Sequence, residues 1–189
     1  MERKMKVALI YGSTREGRFC DTVARWAAAE IARQGTFTLE VVDPAALALP
    51  GRHEQQAGAE VLALHERLAR ADAFIVVTPE YNHGYPAALK FLIDAIHTPW
   101  QARPVAFVSY GGISGGLRAV EQLRQVFAEL HAVTIRDCVS FTNAWQQFDE
   151  AGEPREPERV RKAMDLLLTR LGWWAKALRD AREAIPYGT

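Results

Sequence analysis

Residues 7–18 read VALIYGSTREGR, and the architecture of the chain can be worked out from this segment. Its first five residues are apolar or aromatic, which predicts a buried strand. Small, polar and basic residues then form a tight loop, and helical spacing begins near Phe19. A strand that leads through such a loop into a helix presents unpaired N–H groups at the positive end of the helix dipole. The segment therefore predicts an anion site, and its hydroxyl and guanidinium groups suit a phosphate.

The kind of phosphate follows from what the loop lacks. Gly12 and Gly17 have the spacing of a nucleoside-triphosphate loop, but Arg18 and Phe19 stand where that loop needs lysine and a serine or threonine. The dinucleotide pattern G-x-G-x-x-G is also absent. A loop for a single terminal phosphate remains, as in a flavin mononucleotide, and the alternative is an ordinary turn with solvated arginines.

Composition limits the class of protein. The 189 residues carry 23 basic and 23 acidic side chains, so the formal net charge is zero. The chain lacks the excess of positive charge that is typical of proteins that bind nucleic acid or a membrane surface. No apolar run is long enough for a signal-peptide core or a membrane span. Two cysteines lack metal-ligand or C-x-x-C spacing, which indicates reduced thiols and no metal site. We expect a single cytoplasmic domain over residues 1–189.

Strands and helices alternate along the chain. The patterns predict strands at 7–11, 36–42, 74–77, 104–109 and 133–139, each followed by a helix, with the last helix over about 156–181 and an irregular segment at 43–58. This alternation predicts an α/β fold, a doubly wound five-stranded parallel sheet with right-handed crossovers. Ligands of such sheets lie beyond the carboxyl ends of the strands.

Two further loops leave the carboxyl ends of predicted strands. Residues 78–86 read TPEYNHGYP, in which proline and glycine fix the backbone and tyrosines offer aromatic faces. Residues 110–116 read YGGISGG, and four glycines allow a close backbone approach to a ligand. The alternatives are a surface turn for the first and a structural glycine turn for the second.

The three loops together resemble the NADPH-dependent FMN reductases of the flavodoxin-like superfamily. The resemblance covers residues 5–140 and rests on GSTR at 12–15, PEYN at 79–82 with PAALK at 86–90 and Asp94, and GGISGG at 111–116. It implies a flavodoxin-like strand order of 2-1-3-4-5, FMN as cofactor and NADPH or NADH as reductant.

The resemblance also implies which residues bind the cofactor. Ser13 and Arg15 would hold the FMN phosphate, and the PEYN loop, with Tyr81 next to the flavin, would pack against the ring. Many members carry serine and asparagine where this chain has Arg18 and Cys20, and our hypothesis is that Arg18 supplies a charge-assisted bond instead. The full predicted set is Ser13, Arg15, Arg18, Pro79, Glu80, Tyr81, Asn82, Gly111, Gly112, Ser114 and Gly115.

The predicted function is a flavin-dependent oxidoreductase. It would take electrons from NAD(P)H through FMN to a small-molecule acceptor such as free flavin, a quinone or an azo compound, with the flavin doing the chemistry. The resemblance further implies a homodimer or homotetramer with the flavin near the interface, and helix 86–97 with Trp100 is the predicted contact.

Three alternatives remain at this point. The chain could be a flavodoxin-like electron-transfer module that binds FMN without its own NAD(P)H site. It could use residues 12–17 as a triphosphate loop, or keep the fold and bind flavin poorly.

Overall fold

A computed structural model describes residues 3–54 and 56–188 of the chain. Gln55, within the irregular segment predicted at 43–58, lies outside the described residues. The strands form one parallel sheet in the order β2-β1-β3-β4-β5, as predicted. In chain order the elements are β1 (Met5–Tyr11), α1 (Cys20–Gln34), β2 (Phe37–Val42), α2 (Ala59–Ala69), β3 (Ala73–Pro79), α3 (Ala87–Asp94), β4 (Pro104–Gly111), α4 (Leu117–Glu129), β5 (Val133–Thr142), α5 (Ala144–Gln147) and α6 (Pro157–Ala184).

Helices cover both faces of the sheet. One apolar cluster joins the strands to α1 and α6, and a second joins them to α2, α3 and α4. Every residue of β3 and β4 is buried, which explains why their sequences are continuous apolar runs without alternation. All the crossovers return to the same end of the sheet, so the carboxyl ends of the strands lie along one edge.

Three strands, β3, β4 and β5, extend further at their carboxyl ends than the sequence predicts. β3 runs to Pro79, β4 to Gly111 and β5 to Thr142, because parallel pairing continues through Tyr110↔Phe141 and Gly111↔Thr142. The short helix α5 lies inside the segment that the sequence predicts as a loop. Residues that the sequence predicts to lie in loops are therefore held partly by the sheet itself.

Trp100 does not belong to a contact surface, so this prediction is wrong. Its side chain is fully buried, and its indole Nε1 donates to the Ile96 carbonyl at 2.7 Å and the Ile93 carbonyl at 3.2 Å. A 3-10 turn over Thr98–Trp100 follows α3 and folds the ring back against Phe74 and Phe127. The indole N–H thus caps the end of α3 from within the core.

Within residues 3–54 and 56–188, no helix is long and apolar enough to cross a membrane. In the same residues, no group of three or more histidine, cysteine, aspartate or glutamate side chains is placed to hold a metal ion.

Candidate functional site

Three loops meet at the carboxyl edge of the sheet, as the sequence predicts. We call residues 12–18 the first loop, residues 80–86 the turn loop and residues 111–116 the glycine loop. The first and turn loops are joined by a hydrogen bond of 2.7 Å between the hydroxyls of Ser13 and Tyr81. The turn and glycine loops are joined through Ser114, whose hydroxyl donates to the Glu80 carboxylate at 2.6 Å. The sequence predicts the convergence of the loops, and the structure supplies the contacts between them.

The first loop begins with a close backbone approach. The Gly12 N–H donates to the Val77 carbonyl at 2.7 Å, and a Cβ at Gly12 would lie only 2.6 Å from that oxygen. The loop must therefore begin with glycine for β1 to pass so close to β3. Ser13 follows and is fully buried, and its Oγ also accepts the Arg15 N–H at 3.3 Å.

Arg15 is the free cation of the site. Its guanidinium carbon lies 3.6 Å from the centre of the Tyr81 ring, and in the described part of the chain no carboxylate lies within ion-pair distance of it. Thr14, Glu16 and Gly17 are exposed, and their backbone N–H groups have no acceptor among the described residues. Unpaired N–H groups beside a free guanidinium suit a phosphate.

Arg18 is held by the protein itself. Its guanidinium forms a bidentate ion pair with Asp43 at 2.8 and 2.5 Å, and its Nε donates to Asp21 at 2.8 Å. A further N–H donates to the Ser13 carbonyl, so four of its five N–H groups have protein acceptors. Its side chain is only 9% exposed. In this arrangement Arg18 fixes the shape of the first loop, whereas a phosphate contact remains a prediction for its one remaining donor.

The charge states of this pair follow from the contacts. Burial would raise the pKa of Asp43, but hydrogen bonds from Arg18 and the Ala45 N–H outweigh burial and lower it. The hydrogen bond with Asp43 raises the pKa of Arg18 above its usual range. Both groups are therefore ionised near neutral pH.

Cys20 lies beneath the first loop and faces inward. The side chain is fully buried, and its thiol lies 3.7 Å from the Val77 carbonyl. Burial raises the pKa of this thiol, so it stays protonated and apolar in character. It fills space below the loop.

The turn loop contains a tight turn with two central residues, Asn82 and His83. Tyr81 and Gly84 exchange backbone hydrogen bonds of 2.9 and 3.1 Å, and Asn82 and His83 between them have φ values of 49° and 73°. Two consecutive positive φ values define a type I′ turn, in which asparagine is favoured. The Asn82 and His83 side chains are exposed at its tip, while Gln122 donates to the His83 carbonyl at 3.0 Å. Pro79, just before the loop, is the last residue of β3.

Glu80 joins two loops rather than facing solvent. Besides Ser114, its carboxylate accepts the Arg118 N–H at 3.2 Å and the Arg118 guanidinium at 3.0 Å, and its side chain is only 7% exposed. Burial would raise the pKa of Glu80, but the hydrogen bonds from Ser114 and Arg118 lower it. The ionised Glu80 carboxylate thus binds the start of α4 to the turn loop.

The glycine loop is built mainly for close packing. A Cβ at Gly116, where φ is 87°, would lie 2.8 Å from the Tyr110 nitrogen, and one at Gly115 would lie 2.3 Å from the Ser140 hydroxyl. The Gly115 carbonyl accepts the hydroxyls of Ser109 and Ser140 at 2.8 and 2.9 Å. Gly112 differs, because its missing side chain faces open space, with only the Trp145 ring within 4 Å, at 3.9 Å.

FMN is the cofactor that the resemblance implies, and the arrangement of these residues fits it. The first loop offers a free guanidinium and three unpaired N–H groups for one phosphate. The half-exposed ring of Tyr81 and the open side of Gly112 leave room for a flat ring system beside that phosphate. Gly111 lies at the end of β4 and is buried next to Glu80, so it shapes the backbone below this space.

Sequence reasoning missed four residues of this region: Asp21, Asp43, Arg118 and Trp145. Asp43 follows β2 directly, and Arg118 is the second residue of α4, so each stands where a strand or loop ends. A signal was present, because a charged residue at the carboxyl edge of a parallel sheet is close to the loops of the neighbouring strands. Trp145 is 61% exposed on α5, and no periodic pattern predicts it.

Known proteins resemble the chain in sequence. Residues 5–146 match the model of a family described as NADPH-dependent FMN reductase. An NAD(P)H-dependent FMN reductase of Schizosaccharomyces pombe is 34% identical over 132 residues, which cover 64% of this chain and 64% of that protein, a little under two thirds of its length. A quinone reductase of Escherichia coli K12 is 32% identical over 154 residues, covering 71% of this chain and 76% of that protein.

Solved structures resemble the fold. A flavoenzyme NAD(P)H:(acceptor) oxidoreductase from Paracoccus denitrificans superposes with a TM-score of 0.73 at 21% identity, over 92% of this chain and 98% of that one. A flavodoxin mutant from Pseudomonas aeruginosa superposes with a TM-score of 0.54 at 25% identity, over 93% and 99% of the two chains. These likenesses confirm the predicted flavodoxin-like fold, and the sequence match confirms the predicted family. The chain belongs to the NADPH-dependent FMN reductase family.

Proposed function

We propose that this chain is an FMN-dependent oxidoreductase that takes electrons from NAD(P)H and passes them to a small acceptor such as a quinone or free flavin. The observation that carries the proposal is Arg15, a guanidinium without a carboxylate partner among the described residues, beside three unpaired N–H groups at the end of β1. The family match and the quinone reductase relative favour this function over an electron-transfer module without an NAD(P)H site.

In the proposed site each residue has a distinct task. Arg15 and the N–H groups of Thr14, Glu16 and Gly17 hold the phosphate, while Arg18 and Asp43 keep the first loop in shape. The hydroxyl pair of Ser13 and Tyr81 fixes the tyrosine ring beside the cofactor. When bound, FMN supplies the redox chemistry, accepting a hydride from NAD(P)H and delivering the electrons to the acceptor.

The carboxyl edge carries no side chain that we assign to proton transfer. Glu80 is ionised and its carboxylate accepts three hydrogen bonds, so it positions the glycine loop and α4. Gly112, Asn82, the half-exposed ring of Tyr81 and the exposed ring of Trp145 border the space we assign to the flavin and acceptor. An aromatic border supports a flat acceptor such as a quinone.

Domain, assembly and location belong to the same proposal. We take the chain as a single flavin-binding domain that forms a homodimer or homotetramer in the cytoplasm. The free thiols of Cys20 and Cys138 support a reducing compartment. With Trp100 in the core, the exposed side of α3 is the remaining surface for the predicted contact.

The test is to load the purified protein with FMN and add NADPH, with NADH in a parallel sample. We expect a flavin absorbance band at about 450 nm that the reductant bleaches and that a quinone restores. Arg15→Ala should lose bound FMN, while Arg52→Ala, at an exposed arginine between β2 and α2, should keep it. A protein that cannot be loaded with FMN, or a loaded protein that NAD(P)H does not bleach, would overturn the proposal.

A further inference from the structure

The opposite edge of the sheet carries a second concentration of arginines. At the amino ends of β1, β3 and β4, and between the carboxyl ends of α2 and α6, lies a depression of about 390 Å³. Six cationic side chains line it, namely Arg3, Lys6, Arg70, Arg103, Arg179 and Arg182. Because β1 is seven residues long, this depression is separated from the first loop by about 20 Å of strand. It is therefore independent of the proposed flavin site.

Only two carboxylates line the depression, and each already has a cationic neighbour. Asp72 is buried and accepts the Arg3 guanidinium at 2.7 Å and the Lys6 N–H at 2.8 Å. Glu183 lies 4.0 Å from Arg179. Each of the two carboxylates therefore already has an ion-pair partner, Arg3 for Asp72 and Arg179 for Glu183.

Three arginines of the depression have no carboxylate partner among the described residues. Arg103 donates to the carbonyls of Ala71, Pro99 and Ala69 at 2.8, 2.6 and 2.9 Å, and Arg182 donates to the Ala102 carbonyl. Arg70 has no hydrogen bond or ion pair to the described part of the chain. Carbonyl oxygens fix the direction of the Arg103 and Arg182 guanidiniums without forming an ion pair. Asp72 acts on both charges through space, and Glu183 acts on Arg182.

Burial and the gathering of positive charge also affect the pKa values of two of these arginines. Burial, and then the charge of Arg182, lower the pKa of Arg103 to about 10. Burial is also the main cause that lowers the pKa of Arg182. Arg18, Arg67 and Arg118, by contrast, each pair with a carboxylate.

We infer that this depression is a second anion site, which binds the diphosphate group of a small molecule with Arg70, Arg103 and Arg182. A diphosphate carries the two or more negative charges that would offset the excess of six cationic over two acidic side chains in the depression. The depression is also within the volume range of small-molecule sites. The planar, forked guanidinium groups suit phosphate oxygens better than they suit a monovalent ion such as chloride.

The test is calorimetric titration of the FMN-loaded protein with inorganic pyrophosphate, with sodium chloride of matched ionic strength as the blank. Saturating FMN keeps pyrophosphate out of the first loop. We expect saturable binding, weakened about threefold in Arg70→Gln, since that side chain is exposed, and about tenfold or more in Arg70→Gln with Arg182→Gln. Arg52→Gln is the matched control, at an exposed arginine that does not line the depression, and should bind as the wild type does.

A second set of samples makes the result independent of the proposed function and of folding problems. The titration is repeated without FMN on Arg15→Ala, so failure to load flavin would not affect it. Arg70→Glu, at a solvent-exposed position, replaces the double variant if loss of the Arg182 contact prevents folding. ADP in place of pyrophosphate distinguishes the source: tighter binding of ADP assigns a nucleotide, and equal binding assigns a free diphosphate. Absence of binding above the chloride blank, or equal affinity in wild type and the arginine variants, would overturn the inference.

Discussion

The first loop and the glycine loop lie close together at the carboxyl edge, yet their polar groups are used in different ways. In the glycine loop, Ser114 donates to Glu80 and the Gly115 carbonyl accepts two hydroxyls, so the protein satisfies these groups itself. In the first loop, Arg15 and three N–H groups have no charged partner or acceptor among the described residues. Two motifs that both predict ligand binding from sequence thus differ in the structure. The first loop is free to bind, and the glycine loop mainly determines the shape of the site.

The largest expected effect tests the shaping role of the glycine loop. Gly116→Ala should lower the free energy of unfolding by about 3 kcal/mol, because it combines a positive φ with a Cβ placed against the Tyr110 backbone. Gly17→Ala is the matched control, since its φ is 63° but nothing lies within 4 Å of the added Cβ. It should cost about 1 kcal/mol. Urea unfolding of both variants measures the difference, and equal losses would show that packing does not require this glycine.

Arg18→Gln should have the next largest effect, about 2 kcal/mol of unfolding free energy, because it leaves the half-buried Asp43 without its partner. The pKa of Asp43 is lowered in the folded protein, so the pair contributes stability above the unfolded value of about 4 and loses it as pH falls through the folded value. The difference between wild type and variant should therefore shrink between about pH 7 and about pH 3.

The control for this pair is Arg25→Gln. Arg25 is exposed on α1 and, within residues 3–54 and 56–188, donates only to the Asp21 carbonyl, so its loss should change stability little at either pH. Urea unfolding at the two pH values measures all three proteins. A difference between wild type and Arg18→Gln that does not change with pH would show that Asp43 is not the partner that matters.

Arg15→Ala should separate binding from stability. FMN affinity should fall about 30-fold, or about 2 kcal/mol, because a charge-assisted phosphate contact is lost. Unfolding free energy should change by less than about 1 kcal/mol, since the stack of Arg15 on Tyr81 is solvent-exposed. Quenching of flavin fluorescence measures the affinity. Unchanged affinity would remove Arg15 from the site.

Arg118→Gln should have the smallest effect, less than about 1 kcal/mol, because the arginine side chain is 43% exposed and Ser114 still donates to Glu80. Arg118 helps to lower the pKa of Glu80, so the variant should bring the carboxylate pKa closer to its ordinary value. A carbon-13 NMR titration of the Glu80 carboxylate measures this. A pKa equal to that of the wild type would show that Ser114 and the Arg118 backbone N–H are sufficient.

The fold, the family and the convergence of the loops could be predicted because they depend on local patterns. Apolar runs, loop glycines and helical spacing each lie within a few neighbouring residues, and the strand order is what the family resemblance carried by the three loops implies. The prediction of a flavin-dependent reductase is confirmed at the level of the family. The cofactor contacts of the individual residues remain predictions.

The roles of single side chains could not be predicted because their partners lie far along the chain. Arg18 meets Asp43, 25 residues later, only because β1 and β2 pair in the register that places Ile10 opposite Val42. Glu80 likewise meets Ser114 and Arg118 through the pairing of β3 and β4. The burial of Trp100 could not be predicted, because no sequence pattern indicates the 3-10 turn that brings it into the core.

The central claim is that the first loop holds a phosphate, and it is tested most directly by comparing FMN with riboflavin, which has the same ring without the phosphate. Fluorescence titration of the wild type should show FMN binding at least about 30-fold more tightly than riboflavin, or about 2 kcal/mol. In Arg15→Ala most of that preference should disappear, while riboflavin affinity should remain close to that of the wild type. Equal affinity of the wild type for FMN and riboflavin would contradict the account.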